Sequence, residues 1–216
     1  MFLTKENKLN WSRIAVAAIV TLVLVLCGVF WFDVPVFNFL RRFNCDFFYY
    51  FGAIFNAKVW LVVSFIVVSV FYVRKVLVTR PRSNLFDFFG KVKNSYAFWI
   101  FCSVCLASIV GVMLKFVIGR ARPIFYEALN MTGFFPFTND WAFNSMPSGH
   151  TFASFAGLVM LGLIAPRAKW FTWTLACLIG VSRVCVGAHW PSDVILGAFL
   201  GMISADIIMS LRGKSR

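Results

Sequence analysis

Apolar residues fall along the chain in long, nearly unbroken runs, and short polar clusters punctuate them. A run of about 20 such residues, wound as a helix, crosses the hydrocarbon core of a bilayer. The first runs from about Trp11 to Phe32, behind a short tail carrying Lys5, Lys8 and Arg13. No small-residue cleavage site follows it, so it reads as a retained signal anchor. Asp33 to Asn56 breaks into short phenylalanine-rich clusters around Arg41, Arg42 and Asp46, which predicts one or two amphipathic helices lying on the membrane. Further spans are predicted from about Ala57 to Val73, Ser95 to Ile118, Pro147 to Ala165, Trp170 to Val186 and Ser192 to Leu211. Arg74 to Asn94 reads as a solvated basic loop. Ile124 to Met146, with Gly133, Pro136, Asn139 and Asp140, reads as an extramembrane loop of a length uncommon unless functional. The expectation is an all-α polytopic membrane protein, with six transmembrane helices and interfacial helices between spans 1 and 2.

Composition agrees with one membrane-embedded unit over residues 1–216, since 61 % of the residues are hydrophobic and the mean hydropathy is +0.82. The formal charge of +13 then reports membrane orientation and attraction to anionic head groups, and not nucleic acid. Six spans put both termini on one side, and of the 21 Lys and Arg residues fourteen fall on that side. The positive-inside bias therefore places the termini in the cytoplasm and the other loops on the outer, periplasmic face of a bacterial-type inner membrane. Four of the remaining seven cations are Lys115, Arg120, Arg122 and Arg183, in the segments that hold or approach the histidines. The cysteines, Cys27, Cys45, Cys102, Cys105, Cys177 and Cys185, lie mostly inside apolar runs and read as small buried residues.

Three polar clusters meet on the outer face. In Lys115 to Pro123, KFVIGRARP, a helix would put Lys115 and Arg122 on one face, two turns apart, and Arg120 well off it. A lysine inside an apolar span usually lines a functional cavity. Pro147 to Thr151, PSGHT, opens a span, and a helix N-terminus with a glycine and a serine hydroxyl suits an oxyanion. Ser182 to Asp193, SRVCVGAHWPSD, sets His189 four residues ahead of Asp193, so that the carboxylate can orient the imidazole. His150 and His189 are the only two histidines, and with the cations they suit phosphoryl transfer, which needs charge neutralisation, a nucleophile and an acid.

Together these clusters resemble the three-part signature of the type 2 phosphatidic acid phosphatase superfamily, which shares its site with vanadium haloperoxidases and glucose-6-phosphatase. Eleven positions match in order: Lys115, Arg122, Pro123, Pro147, Ser148, Gly149, His150, Ser182, Arg183, His189 and Asp193. The resemblance implies that His189 attacks phosphorus to form a phosphohistidine while Asp193 orients its ring. It further implies that His150 protonates the leaving oxygen, and that Lys115, Arg122, Arg183, Ser148 and Gly149 hold the phosphoryl oxygens. No cofactor or metal is expected. The implied substrate is a lipid phosphate such as undecaprenyl diphosphate, lipid A or phosphatidylglycerophosphate/phosphatidate, and the implied reaction hydrolysis. The alternative is a phosphotransferase that passes the group to a second acceptor. Outside the signature, Gly197 and Gly201 offer a small-residue spacing for helix packing within the bundle, and Arg41 and Arg42 stand on the outer face. Asp206, thirteen residues past Asp193, is placed about 20 Å deeper.

Overall fold

The computed structural model describes residues 2–78 and 95–214. The predicted basic loop around Arg80, Arg82, Lys91 and Lys93 lies outside the described residues. The first apolar run forms α1 (Trp11–Cys27), which Asn10 caps by accepting the Arg13 backbone N–H. A π-helical turn over Gly28–Phe32 then carries the chain without a break into α2 (Asp33–Arg41). α3 (Asp46–Ile54), α4 (Ala57–Val78), α5 (Tyr96–Ile118) and the short α6 (Pro123–Leu129) follow. The last three are α7 (Gly149–Ile164), α8 (Lys169–Cys185) and α9 (Pro191–Lys214). Among the described residues the regular structure is all helical, with two isolated bridges at Leu3–Leu9 and Arg120–Phe134.

α7 is the centre of the bundle and packs against α9, α8, α5 and α4. Every residue from Thr151 to Met160 is buried, as an apolar helix enclosed on all sides requires. Two glycines of α9 let it approach closely. A Cβ at Gly197 would come within 2.9 Å of the Ser148 carbonyl oxygen, and one at Gly201 within 2.5 Å of Phe155. The small-residue spacing is thus used inside the bundle.

Among the described residues, three helices are long and apolar enough to cross a membrane: Trp11–Arg41, Tyr96–Ile118 and Pro191–Arg212. A fourth is reached if Asp46–Ile54 and Lys58–Arg74, bent by 41°, form one span. The sequence pattern predicts six. The difference lies in α7 and α8, whose 16 and 17 residues rise about 25 Å, short of the roughly 30 Å hydrocarbon core. The region read as interfacial also differs. α2 does not lie free on a surface, because it packs on α8 and α9 and buries Asp33 and Phe37. At the far end of α9 from Asp193, buried Asp206 accepts the Phe2 N–H at 2.8 Å and ties down the N-terminal segment.

Candidate active site

Gly119 ends α5 and decides where the first cluster goes. Its φ of +59° is left-handed, and its N–H closes on the Lys115 carbonyl. A Cβ here would lie 1.8 Å from the Phe135 carbonyl oxygen, so only glycine fits. The chain then runs extended beside the long loop: Ala121 donates to Gly133 O, Arg122 to Ala142 O, and Ser145 donates back to Arg120 O. Because the helix stops at Ile118, the helical phase that set Arg120 apart does not apply, and Arg120 and Arg122 are both buried.

The 141–145 stretch holds the cations. Lys115 Nζ donates to the carbonyls of Asn144 at 2.6 Å and Ser145 at 3.3 Å. Arg122 donates to the carbonyls of Trp141, Ala188 and Asn144, with its guanidinium 4.2 Å over the Trp141 ring. Arg183, near the end of α8, reaches across α3 to donate to the Phe48 carbonyl at 2.8 Å. These bonds fix three basic side chains before any ligand arrives.

A cleft of about 600 Å³ opens on these residues, lined by Lys115, Arg122, Asn144, Gly149, His150 and His189 together with Lys58 and Asn56 of the α4 entrance. A second lobe of about 410 Å³ adds Arg183 and shares Arg122 and His150 with the first. Six of the eight residues singled out from the sequence therefore face one connected space. The other two stand behind its wall. Asp193 is fully buried beyond His189, and Ser148 is fully buried, accepting from the Thr151 hydroxyl while its N–H donates to the Asp193 carbonyl.

His189 Nδ1 lies 3.6 Å from Asp193 Oδ2, at ion-pair distance and beyond a hydrogen bond. Ser145 stands between them: its hydroxyl donates to Asp193 Oδ2 at 2.5 Å and lies 3.5 Å from His189 Nδ1. The Trp190 N–H completes the shell of that oxygen at 2.9 Å. With Nδ1 engaged on this side, Nε2 is the ring nitrogen left for the cleft. Burial holds the His189 imidazolium pKa down to about 3; the Asp193 carboxylate opposes this, and Lys115 and Arg122 reinforce it. The imidazole is thus neutral and nucleophilic over the whole physiological range. Burial also brings Arg122 down to about 10, which leaves it charged.

Asp193 is held from its other side by Arg120, which no signature position includes, together with Ser192 and Asp33. Arg120 Nη1 donates to Asp193 Oδ1 at 2.8 Å and to Ser192 Oγ at 2.7 Å, and Nη2 donates to Asp33 Oδ2 at 2.6 Å. Asp33 also accepts the Ser192 backbone N–H at 2.9 Å. The two carboxylates outweigh burial and raise the Arg120 pKa. One signal for this network was present in the sequence: an aspartate at the end of a long apolar run needs a buried partner. Ser145 carried no such signal.

A histidine backed by a carboxylate, a second histidine and three basic side chains around one cleft have the chemistry to receive a phosphoryl group. Among the described residues no three His, Cys, Asp or Glu side chains converge as metal ligands.

A sequence profile described as the PAP2 superfamily matches residues 96–216, which contain all eleven signature positions. The lipid A 1-phosphatase of Rhizobium etli is 38 % identical over 116 residues, 52 % of this chain and 50 % of that protein. An undecaprenyl-diphosphatase of Sulfolobus acidocaldarius is 37 % identical over 101 residues, 46 % of this chain and 47 % of that one. The chain thus spans about half the length of these curated relatives. Among solved structures, LpxE of Aquifex aeolicus superposes with a TM-score of 0.57 at 21 % identity, covering 84 % of this chain and 96 % of that one. That likeness concerns the fold.

Proposed function

The chain belongs to the PAP2 superfamily, and on that premise we propose that it is a lipid phosphatase working through a phosphohistidine at His189. The observation that carries the reading is the placement of His189, buried and neutral, with Asp193 behind its Nδ1 and Lys115, Arg122 and His150 around the cleft in front.

In the first step His189 Nε2 attacks phosphorus, an N–P bond forms, and the P–O bond to the lipid breaks. His150 gives its proton to the leaving oxygen. Asp193 stabilises the imidazolium character that develops. In the second step water attacks phosphorus, the N–P bond breaks, inorganic phosphate leaves and the water proton returns to His150. Lys115, Arg122 and Arg183 balance the charge of the phosphoryl oxygens. Gly149 offers its N–H at the start of α7, while Ser148 acts from behind by capping α7 and bonding the Asp193 carbonyl.

The substrate is a membrane lipid phosphate, in keeping with relatives named for lipid A and undecaprenyl diphosphate. On the six-span reading, with α7 and α8 counted as short spans inside the bundle, the cleft opens at the periplasmic face. The positive charge comes from side chains, so the reaction proceeds without a metal. Purified protein in detergent and chelator should release phosphate from at least one of lipid A, undecaprenyl diphosphate or phosphatidylglycerophosphate. Loss of all release on adding chelator, with recovery on adding a divalent cation, would count against metal independence.

A further inference from the structure

The cleft that holds His189 continues down between α4 and α5, where Leu61, Ser108, Val112 and Phe116 line it. Ser108, Val112 and Lys115 follow helical i, i+4, i+7 spacing, so Ser108 shares the face of Lys115 two turns, or about 10 Å, deeper. Its hydroxyl is buried and makes no hydrogen bond. It is one of four such side-chain atoms among the described residues, and another, Asn144 Oδ1, lines the same cleft.

A serine in an apolar helix ordinarily returns its hydroxyl to the carbonyl three or four residues back. Ser64, Ser182, Ser204 and Ser210 do so, and Ser103, on the same helix as Ser108, donates across to the Ala156 carbonyl. An orphaned hydroxyl in the wall of a functional cleft therefore calls for a partner that arrives with the ligand. Below the phosphate site, that partner must be an acceptor carried by the lipid.

Resting on the reading of this cleft as a lipid phosphatase site, we propose that Ser108 donates a hydrogen bond to an acyl carbonyl of the substrate. The site then favours lipid phosphates with an ester or amide carbonyl near the head group over polyprenyl phosphates, whose hydrocarbon chains carry no acceptor.

The test uses the purified full-length protein in mixed micelles with three probes: a short-chain diacylglycerol 3-phosphate, its dialkyl ether counterpart and undecaprenyl diphosphate. Wild type should prefer the diester over the diether by about fivefold in kcat/KM, the factor of one neutral hydrogen bond. Ser108→Ala should erase that preference, Ser108→Cys, a weaker donor, should reduce it, and Ser103→Ala should keep it. An unchanged diester-to-diether ratio in Ser108→Ala overturns the inference and means that the hydroxyl merely turns back onto its own helix. Hydrolysis of undecaprenyl diphosphate alone by wild type also overturns it while leaving the reaction class intact. Release from none of the three lipids, nor from lipid A or phosphatidylglycerophosphate run beside them, overturns the lipid phosphatase reading, and this inference with it.

Discussion

Replacing Arg120 with methionine removes the one cation between two buried carboxylates. Asp33 and Asp193 are 2 % and 0 % exposed, and the guanidinium meets them at 2.6 and 2.8 Å. Breaking a buried pair by deleting one partner typically costs 3–5 kcal/mol, because the other charge is left without compensation. Here two like charges remain, so the upper part of that range applies, about 5 kcal/mol. For a chain of this size each kcal/mol moves the midpoint by about 2–4 °C, which predicts a fall of roughly 10–20 °C in detergent. Asp33→Asn should be much milder, since Arg120 keeps Asp193, and Arg120→Met with Asp33→Asn should recover part of the loss. The assay is thermal unfolding of the four proteins side by side, with phosphate release measured at a temperature where all are folded. Activity of Arg120→Met should fall about 100-fold and mainly in kcat, because Asp193 loses the partner that holds it under His189. An Arg120→Met protein as stable as wild type, or a double variant worse than the single one, would refute the reasoning.

Other outcomes follow from the same geometry. His189 stays neutral in the fold down to about pH 3, whereas in the unfolded chain it takes up a proton near 6.5. The folded pKa is the lower one, so stability falls as pH drops below 6.5. The share due to His189 is about 2 kcal/mol between pH 7 and 5; His189→Gln should flatten that part of the stability profile, and an unchanged slope would contradict a neutral buried imidazole. Gly52→Ala would put a methyl group 1.6 Å from the Arg183 guanidinium nitrogen, so the guanidinium must leave its place across α3. Because alanine favours a helix by about 1 kcal/mol over glycine, the variant should hold its melting temperature while kcat/KM falls about tenfold; an equal loss of both would mean that α3 itself is distorted. Lys115→Met should raise KM and lower kcat together with little loss of stability, since its ammonium bonds only two carbonyls of the loop.

Much of the site could be read from the chain because its chemistry rests on residue types that apolar helices otherwise exclude. Two histidines and the cations beside them stand out in a sequence that is 61 % hydrophobic, and the cleft gathers Lys115, Arg122, Gly149, His150, Arg183 and His189. The support behind them was less visible. Arg120 was set aside by extending a helix past Gly119, where a left-handed residue resets the direction of every following side chain. Asp33 sits 160 residues before Asp193, and no local spacing reports a contact at that range. Span number is the less legible part of the fold for a related reason. Hydropathy counts α7 like any other run, although the bundle encloses it and it is shorter than a free span.

The most direct test of the account is to trap the phosphoenzyme. Rapid quenching of the purified protein with a 32P-labelled lipid phosphate should give a protein-bound label that is stable to base and labile to acid, as expected of a phosphohistidine, and that maps to His189. The label should be absent from His189→Ala. In His150→Ala it should turn over slowly, because the second proton transfer is lost. Label on any other residue, or phosphate release that persists in His189→Ala, would contradict the account.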